Sequence, residues 1–171
     1  MRKTEILPWS EDWVKQYYIE EKILKNILSE ELLEIHHIGS TSIPTIGFAK
    51  PIIDILIVVK EIHKVDLYNG KMVTLGYDPR GENGILGRRY FTKGNEKRTH
   101  HIHIYQMGNE NIRLHLDFKE YLIYNPEDAK RYGELKINLA RQFPNNTHDY
   151  QNGKEQFVNE LLKKAKKWSS T

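Results

Sequence analysis

Two neighbouring segments bring together residue types that can do chemistry. The first is His37-Ile38-Gly39-Ser40-Thr41-Ser42-Ile43-Pro44; the second is Lys50-Pro51-Ile52-Ile53-Asp54-Ile55-Leu56-Ile57-Val58-Val59. Gly39 lacks a Cβ and tolerates positive φ, so the backbone there can approach a ligand closely. Ser40, Thr41 and Ser42 add hydroxyls and backbone N–H groups, a combination that cradles an anion such as phosphate. Asp54 falls inside a run of β-branched residues, where a carboxylate is costly unless a metal ion or a cationic group pairs with it. Further along, His101 and His103 alternate with Ile102 and Ile104. A period of two puts both imidazoles on one face of a strand, which suits a metal, a phosphate, or plain hydrogen bonding in a core. Arg88, Arg89, Arg98 and Lys50 are the cations placed to neutralise phosphate, arginine as a bidentate fork and lysine as a point charge. Lys154, in Tyr150-Gln151-Asn152-Gly153-Lys154, precedes the last apolar run and is a further candidate to reach the same cleft.

A Gly-Ser turn, a gap, and an aspartate in an apolar strand resemble the signature of the nucleotidyltransferase superfamily. Residues 37–59 as a whole resemble the GrpB family within it. The likeness extends to Trp9 and Trp13, Leu75-Gly76-Tyr77, Arg98-Thr99-His100-His101-Ile102-His103, Phe118-Lys119-Glu120-Tyr121-Leu122 and the segment ending at Lys154, which fall in the family's order. The resemblance implies an α+β fold, a nucleotidyltransferase-like mixed sheet flanked by helices with a helical C-terminal part. It also implies that Gly39, Ser40 and Thr41 hold nucleotide phosphate and that Asp54 is the catalytic carboxylate and holds Mg²⁺. The ligand would be a nucleoside triphosphate or another phosphate-bearing small molecule, and the reaction transfer of a nucleotidyl group to an acceptor. Such transfer uses two acids two residues apart on one strand, about 7 Å from each other on one face, to share metal ions. Here the position two beyond Asp54 is Leu56, which cannot ligate Mg²⁺. Three alternatives follow. Other side chains complete the metal site, with His101 and His103 the first candidates and Asp117 and Glu120 behind them. Or the site binds nucleotide or phosphate without transferring it. Or the fold serves as a protein-interaction domain with a degenerate site. In an antiparallel neighbouring strand, His103 would face Asp54.

The elements that must position these groups are written in the pattern. Ser10 is a helix N-cap with Glu11 and Asp12 in the first turn, and Trp13, Tyr17, Leu24, Ile27 and Leu28 recur at helical spacing. Leu32 to Ile38 reads as a helical turn feeding the first strand; residues 51–59 read as a central strand, apolar on both faces. Residues 65–75 have weaker helical periodicity, broken by Gly70, and residues 78–87 form a loop of the kind that carries function. Residues 88–93 and 98–106 make a hairpin about Gly94-Asn95-Glu96-Lys97. Asn111 caps a helix with Leu114, Phe118, Tyr121 and Leu122 inward, a strand over 113–117 being the alternative. Asn125-Pro126-Glu127-Asp128 starts a helix that runs to about Phe143. A last helix from about Thr147 carries Phe157, Leu161, Leu162, Ala165 and Trp168 on its core side. Tyr121 and Tyr132 are core residues in this reading; His36, His37 and His63 are structural.

The 171 residues fit a single domain spanning 1–171, large enough to bury a core. Charged residues at 29% and hydrophobic ones at 39% argue for a soluble globular chain and against disorder. No apolar run approaches the ~20 residues a membrane span needs, and the N-terminus lacks the apolar stretch of a signal peptide. The absence of cysteine excludes disulfides and thiolate metal sites, and a cytoplasmic address is the default expectation. The net charge of +3 comes largely from lysines near the C-terminus, read as a solvated helix surface, and argues against a nucleic-acid partner. Neither a Gly-x-Ser-x-Gly elbow nor a Gly-Lys-Ser/Thr phosphate loop is present. The sequence is silent on the base, the acceptor and the oligomeric state.

Overall fold

The computed structural model describes residues 3–171. The chain begins with a short strand β1 (Leu7–Pro8), helix α1 (Glu11–Leu28) and strand β2 (Leu32–Ile38). Two single 3-10 turns, Ser40–Ser42 and Pro44–Ile46, lead to β3 (Phe48–Ala49) and β4 (Ile53–Val59). A 3-10 stretch, Ile62–Tyr68, runs into α2 (Asn69–Thr74), followed by β5 (Tyr77–Pro79), β6 (Arg88–Lys93) and β7 (His100–Gln106). Three helices complete the chain: α3 (Glu110–Tyr124), α4 (Pro126–Gln142) and α5 (Thr147–Ser169). The main sheet has the order β2-β4-β7-β6-β5; only the β4–β7 pair is parallel. β1 and β3 form a separate antiparallel ribbon. This is the expected α+β fold, a mixed sheet with helices and a helical C-terminal part. Among the described residues no helix is long and apolar enough to cross a membrane.

Several elements start where their caps dictate. Ser10 Oγ accepts from Asp12 N at 3.2 Å, and Asn146 Oδ1 accepts from Asp149 N at 3.1 Å, each satisfying an orphan donor of the first turn. The cap of α3 is Asn109, whose Oδ1 takes the Asn111 N–H at 2.9 Å, so the expected cap at Asn111 moves two residues earlier. The strand alternative over 113–117 is replaced by helix. Leu114, expected inward, is exposed, and Ile112 packs in its stead.

Two expectations change for tertiary reasons. Leu32–Ile38 is an edge strand, not a helical turn. It pairs with β4 from Leu32↔Val59 to Ile38↔Asp54, and its outward Leu33 and Glu34 blur the alternation by which a strand is recognised. The second change concerns β7, which runs parallel to β4 rather than antiparallel. The chain first lays down β5 and β6 on the far side of β7, then returns through the β6–β7 hairpin in the direction of β4. Asp54 is therefore level with His101, and Leu56 with His103.

The two sheet faces have different covers. Ile53, Ile55 and Ile57 of β4, with Ile102 and Ile104 of β7, pack against Trp13, Tyr17, Leu24 and Leu28 of α1. On the opposite face Leu56, Val58, Ile38 and Tyr105 lie under Ile112 and Leu116 of α3. Asp54 shares that second face but sits at the start of β4, before the sealed part begins. A third cluster joins Ile43 and Ile46 of the 39–47 segment to Tyr121, Leu122, Ala129, Tyr132 and Leu161 of the C-terminal helices. Gly133 permits this packing, since a Cβ there would collide with the Ile46 carbonyl oxygen. The turn after β2 is thus held between the sheet and the helical part.

Candidate functional site

Gly39 leaves β2 at φ +71°, and a Cβ built on it would lie 2.5 Å from Asp54 Oδ2. Only glycine lets the turn backbone stand this close to the carboxylate. The turn is closed by Ser42, whose N and Oγ both donate to Gly39 O, at 3.0 and 2.6 Å. Thr41 points inward. Its hydroxyl donates to Ile52 O and therefore accepts from His37 Nε2, both at 3.0 Å, which ties the turn to the segment before β4. Burial pushes the His37 imidazole down to about 4, and the nearby Lys119 charge adds to this, so His37 is a neutral structural donor. Ser40 remains, with its hydroxyl turned towards the C-terminal helices.

Asp54 Oδ1 lies 3.5 Å from His101 Nδ1 and 3.6 Å from His103 Nε2. Each imidazole meets an arginine at its other nitrogen: Arg98 Nη1 is 3.3 Å from His101 Nε2, and Arg88 Nη1 is 3.3 Å from His103 Nδ1. A guanidinium can only donate, so the nitrogens facing the arginines accept, and a neutral ring then turns its N–H towards Asp54. Burial alone would raise the Asp54 carboxyl. The two histidines, hydrogen-bonded to the carboxylate, outweigh it and hold the group well below the usual carboxylate range. The Arg88 guanidinium also sits 4.4 Å from the Tyr90 ring centroid, and that ring flanks both histidines.

Three amines gather beyond the serine turn, two of them, Lys136 and Lys154, within reach of the Asp54 charge. Lys136 of α4 is 3% exposed, donates to Ser40 Oγ and lies 4.4 Å from the Tyr132 ring centroid. Lys50 and Lys154 flank the Tyr150 ring at 4.5 and 5.2 Å, and Lys50 Nζ reaches Thr147 Oγ1 at 3.4 Å. Burial brings the Lys154 ammonium down to about 8 against a modest opposing pull from Asp54. Lys136 is pushed well below the ordinary lysine value by burial, then by the charge of Lys154, with Asp54 opposing and Lys50 reinforcing. The Tyr150 hydroxyl is buried without a hydrogen-bond partner among the described residues.

The fold brings together Gly39, Ser40, Lys50, Asp54, Arg88, Arg98, His101, His103 and Lys154. It separates Arg89 from them and leaves the Thr41 side chain unavailable. Arg89 follows Arg88 along a strand and so faces the other way, where its Nε and Nη2 hold Asp66 at 2.8 and 3.3 Å. Thr41 lies at the site, but its side chain is spent inside the turn. Asp117 is engaged by Arg113 and Ser169 at 2.6 and 2.9 Å. Lys136 escaped the sequence reading, although a signal existed. It occupies the inward stripe of α4 with Ala129, Tyr132, Gly133 and Leu139, where an apolar residue is expected. Leu56, two residues beyond Asp54, is fully buried beneath α3 and closed to solvent. Among the described residues there is no group of three or more His, Cys, Asp or Glu that could hold a metal ion.

Residues 3–164 match the family described as GrpB protein. YqkA of Bacillus subtilis is 47% identical over 167 residues, covering 98% of this chain; the chain spans about half, 48%, of that relative's length. The crystal structure of conserved protein GrpB from Enterococcus faecalis has 44% identity and a TM-score of 0.94, over 98% of this chain and all of that one. A more distant likeness is to the Cid1 poly(U) polymerase solved bound to MgATP, at 14% identity and a TM-score of 0.54, over 81% of this chain and 46% of Cid1. That likeness concerns the fold, which is of the nucleotidyltransferase type. Matched over nearly its whole described length, the chain belongs to the GrpB family.

Proposed function

We propose that the cleft binds the phosphate chain of a nucleoside triphosphate. The observation that carries this reading is the convergence of Lys50, Lys136 and Lys154 about Ser40 and Tyr150, beside a single ionised carboxylate. A polyanion gains charge-assisted hydrogen bonds from the amines, and Ser40 becomes free to bond it once Lys136 turns to phosphate. Gly39 lets the turn backbone approach the same oxygens. Arg88 and Arg98 contribute through the histidines, keeping Asp54 ionised and oriented.

The donor set accommodates one Mg²⁺. This ion is commonly held by one or two carboxylates, with substrate phosphates and water filling the remaining positions. Asp54, 26% exposed at its side chain, supplies the one carboxylate. The ion would neutralise phosphate oxygens there. His101 and His103 present N–H groups rather than lone pairs to Asp54, which suits them to buttressing the carboxylate and not to ligating a metal beside it. A two-ion arrangement does not fit, since Leu56 is sealed. Binding without nucleotidyl transfer is therefore the reading favoured over catalysis. A nucleotide ligand and a cysteine-free chain also suit a cytoplasmic protein. Cid1's MgATP-bound structure supports the ligand class by likeness of fold.

Isothermal titration with ATP, GTP, CTP and UTP, with and without Mg²⁺, tests the proposal. At least one nucleotide binds; Lys136→Met weakens it about 10- to 100-fold, the worth of one charge-assisted bond, and Asp54→Ala removes the Mg²⁺ effect. Pyrophosphate release stays at the Asp54→Ala background. Failure of all four nucleotides to bind would end the reading.

A further inference from the structure

Beside the lysine cluster the chain leaves a groove of about 1250 Å³. Its walls come from five places: the N-terminal segment from Lys3 to Leu7, the Phe48–Ile52 region, the β6–β7 turn, the α4 face bearing Ile137, Ala140 and Arg141, and Thr147 at the start of α5. The N-terminal wall is fastened at both ends, by Thr4 N donating to Pro144 O at 2.9 Å and by pairing of Leu7 with Ala49. The groove is therefore built into the fold and is not a gap beside a loose strand.

Two features define what it suits. The floor is apolar, with Phe48, Ile52, Ile137 and Ala140. Among the described residues the charged lining is unequal: five cations, among them Lys97, Arg98 and Arg141, stand against Glu5 and Glu96. The groove also meets the phosphate site. Lys50 belongs to both, and Arg98, which lines the groove, binds the His101 that faces Asp54. A pocket for one small ligand holds roughly 300–1,000 Å³. This space exceeds it and adjoins a site that already accounts for a phosphate chain.

We propose that the groove seats a second ligand, a small molecule with an anionic head and an apolar body, whose end at Lys50 and Arg98 lies next to Asp54. Carboxylate and phosphate heads share the required chemistry. The inference rests on the nucleotide reading only for which molecule lies alongside; binding in the groove can be measured whether or not a nucleotide is present.

The test uses fluorescence titration of the full chain with 2-naphthoate, 2-naphthyl phosphate and the neutral 2-naphthalenemethanol, each in the absence and presence of saturating ATP. At least one anionic probe binds more tightly than the alcohol, and which one identifies the head group. Lys97→Glu with Arg141→Glu, both exposed positions, weakens the anionic probes by about fivefold or more and spares the alcohol. Ala140→Trp, filling the groove, abolishes binding of all three while ATP affinity, measured separately by calorimetry, is retained. Circular dichroism melting of each variant confirms that it is folded. Equal binding of charged and neutral probes, insensitivity to the double charge reversal, or displacement of the probes by ATP would each overturn the proposal. Failure of the wild-type chain to bind any of ATP, GTP, CTP and UTP would instead count against the nucleotide reading alone.

Discussion

On the proposed reading, the buried amines would make nucleotide binding a proton-consuming event. In the free site Lys154 titrates at about 8 because burial disfavours its charged form, and Lys136 lies well below the ordinary value for the same reason. A bound triphosphate brings several negative charges and pulls both amines back towards the usual lysine value of about 10.4. A group whose bound pKa exceeds its free pKa strengthens binding fully at pH values below the free pKa, and that contribution declines above it and is gone once pH has risen through the bound pKa. Lys154 is about nine-tenths protonated at pH 7 and about one-tenth at pH 9, so this residue alone weakens binding about tenfold over that interval. At pH 8 binding takes up about half a proton at Lys154, with Lys136 adding to it. The terminal phosphate, with a second pKa of about 6, is almost wholly ionised at pH 8, where the proton count is read, and contributes almost nothing there. Calorimetry with ATP at pH 8, in buffers of different ionisation enthalpy, gives the proton count as the slope of apparent against buffer enthalpy. Lys154→Met should lower that slope by about half a proton. Zero slope, or proton release, with ATP bound to the wild-type chain would refute the reasoning.

Other perturbations separate the parts of the site from the frame. Gly39→Ala forces a Cβ onto Asp54 at a positive φ; it should cost about 1–3 kcal/mol in melting experiments and weaken ATP binding, and an unchanged melting curve would contradict the close approach. Leu56→Asp places a carboxylate under α3, so we expect a loss of about 3 kcal/mol or more in urea and no gain of Mg²⁺-dependent pyrophosphate release. Glu20 is buried on α1, where its carboxylate accepts from Tyr77 Oη at 2.6 Å and Lys93 Nζ at 2.8 Å. Burial opposes its ionisation, but these partners win and hold the group below the usual range. Glu20→Gln should cost about 1–3 kcal/mol at neutral pH. Because the folded pKa is depressed, the deficit shrinks as pH falls below about 4; a deficit independent of pH would show that charge is not what Glu20 supplies.

The legible parts of the chain were those whose local pattern and tertiary role agree. Residues 51–59 are apolar on both faces because β4 is central and covered on both sides, so the strand declared itself. Asn125-Pro126 and Ser10 mark helix starts that the fold keeps. The edge strand β2 was misread because one side of it meets solvent and its polar residues fall out of strict alternation. Strand direction was illegible for a different reason: the parallel β4–β7 pairing depends on where β5 and β6 are laid down, which no local spacing records. At the site, the Gly39–Ser40 turn and Asp54 could be named from residue types alone. Arg88 and Arg89 could have been told apart, since neighbours on a strand face opposite ways and only one can reach the imidazoles. Lys136 was hidden because lysine on an amphipathic helix ordinarily means water, and its value here comes from Ser40, distant in the chain.

The carboxylate and the serine turn come from the sheet, whereas two of the three amines arrive on α4 and α5. An occupant of the cleft would therefore rivet the two parts together. Ligand at a hundred times its dissociation constant adds about 2.7 kcal/mol to whatever seam it spans. During synthesis that gain is incomplete until α5 has been made and docked, because Lys154 lies on it. A chain interrupted before that point would carry the aspartate, the bend, Lys50 and Lys136 but lack the third amine, so a ligand would favour molecules in which α5 is docked.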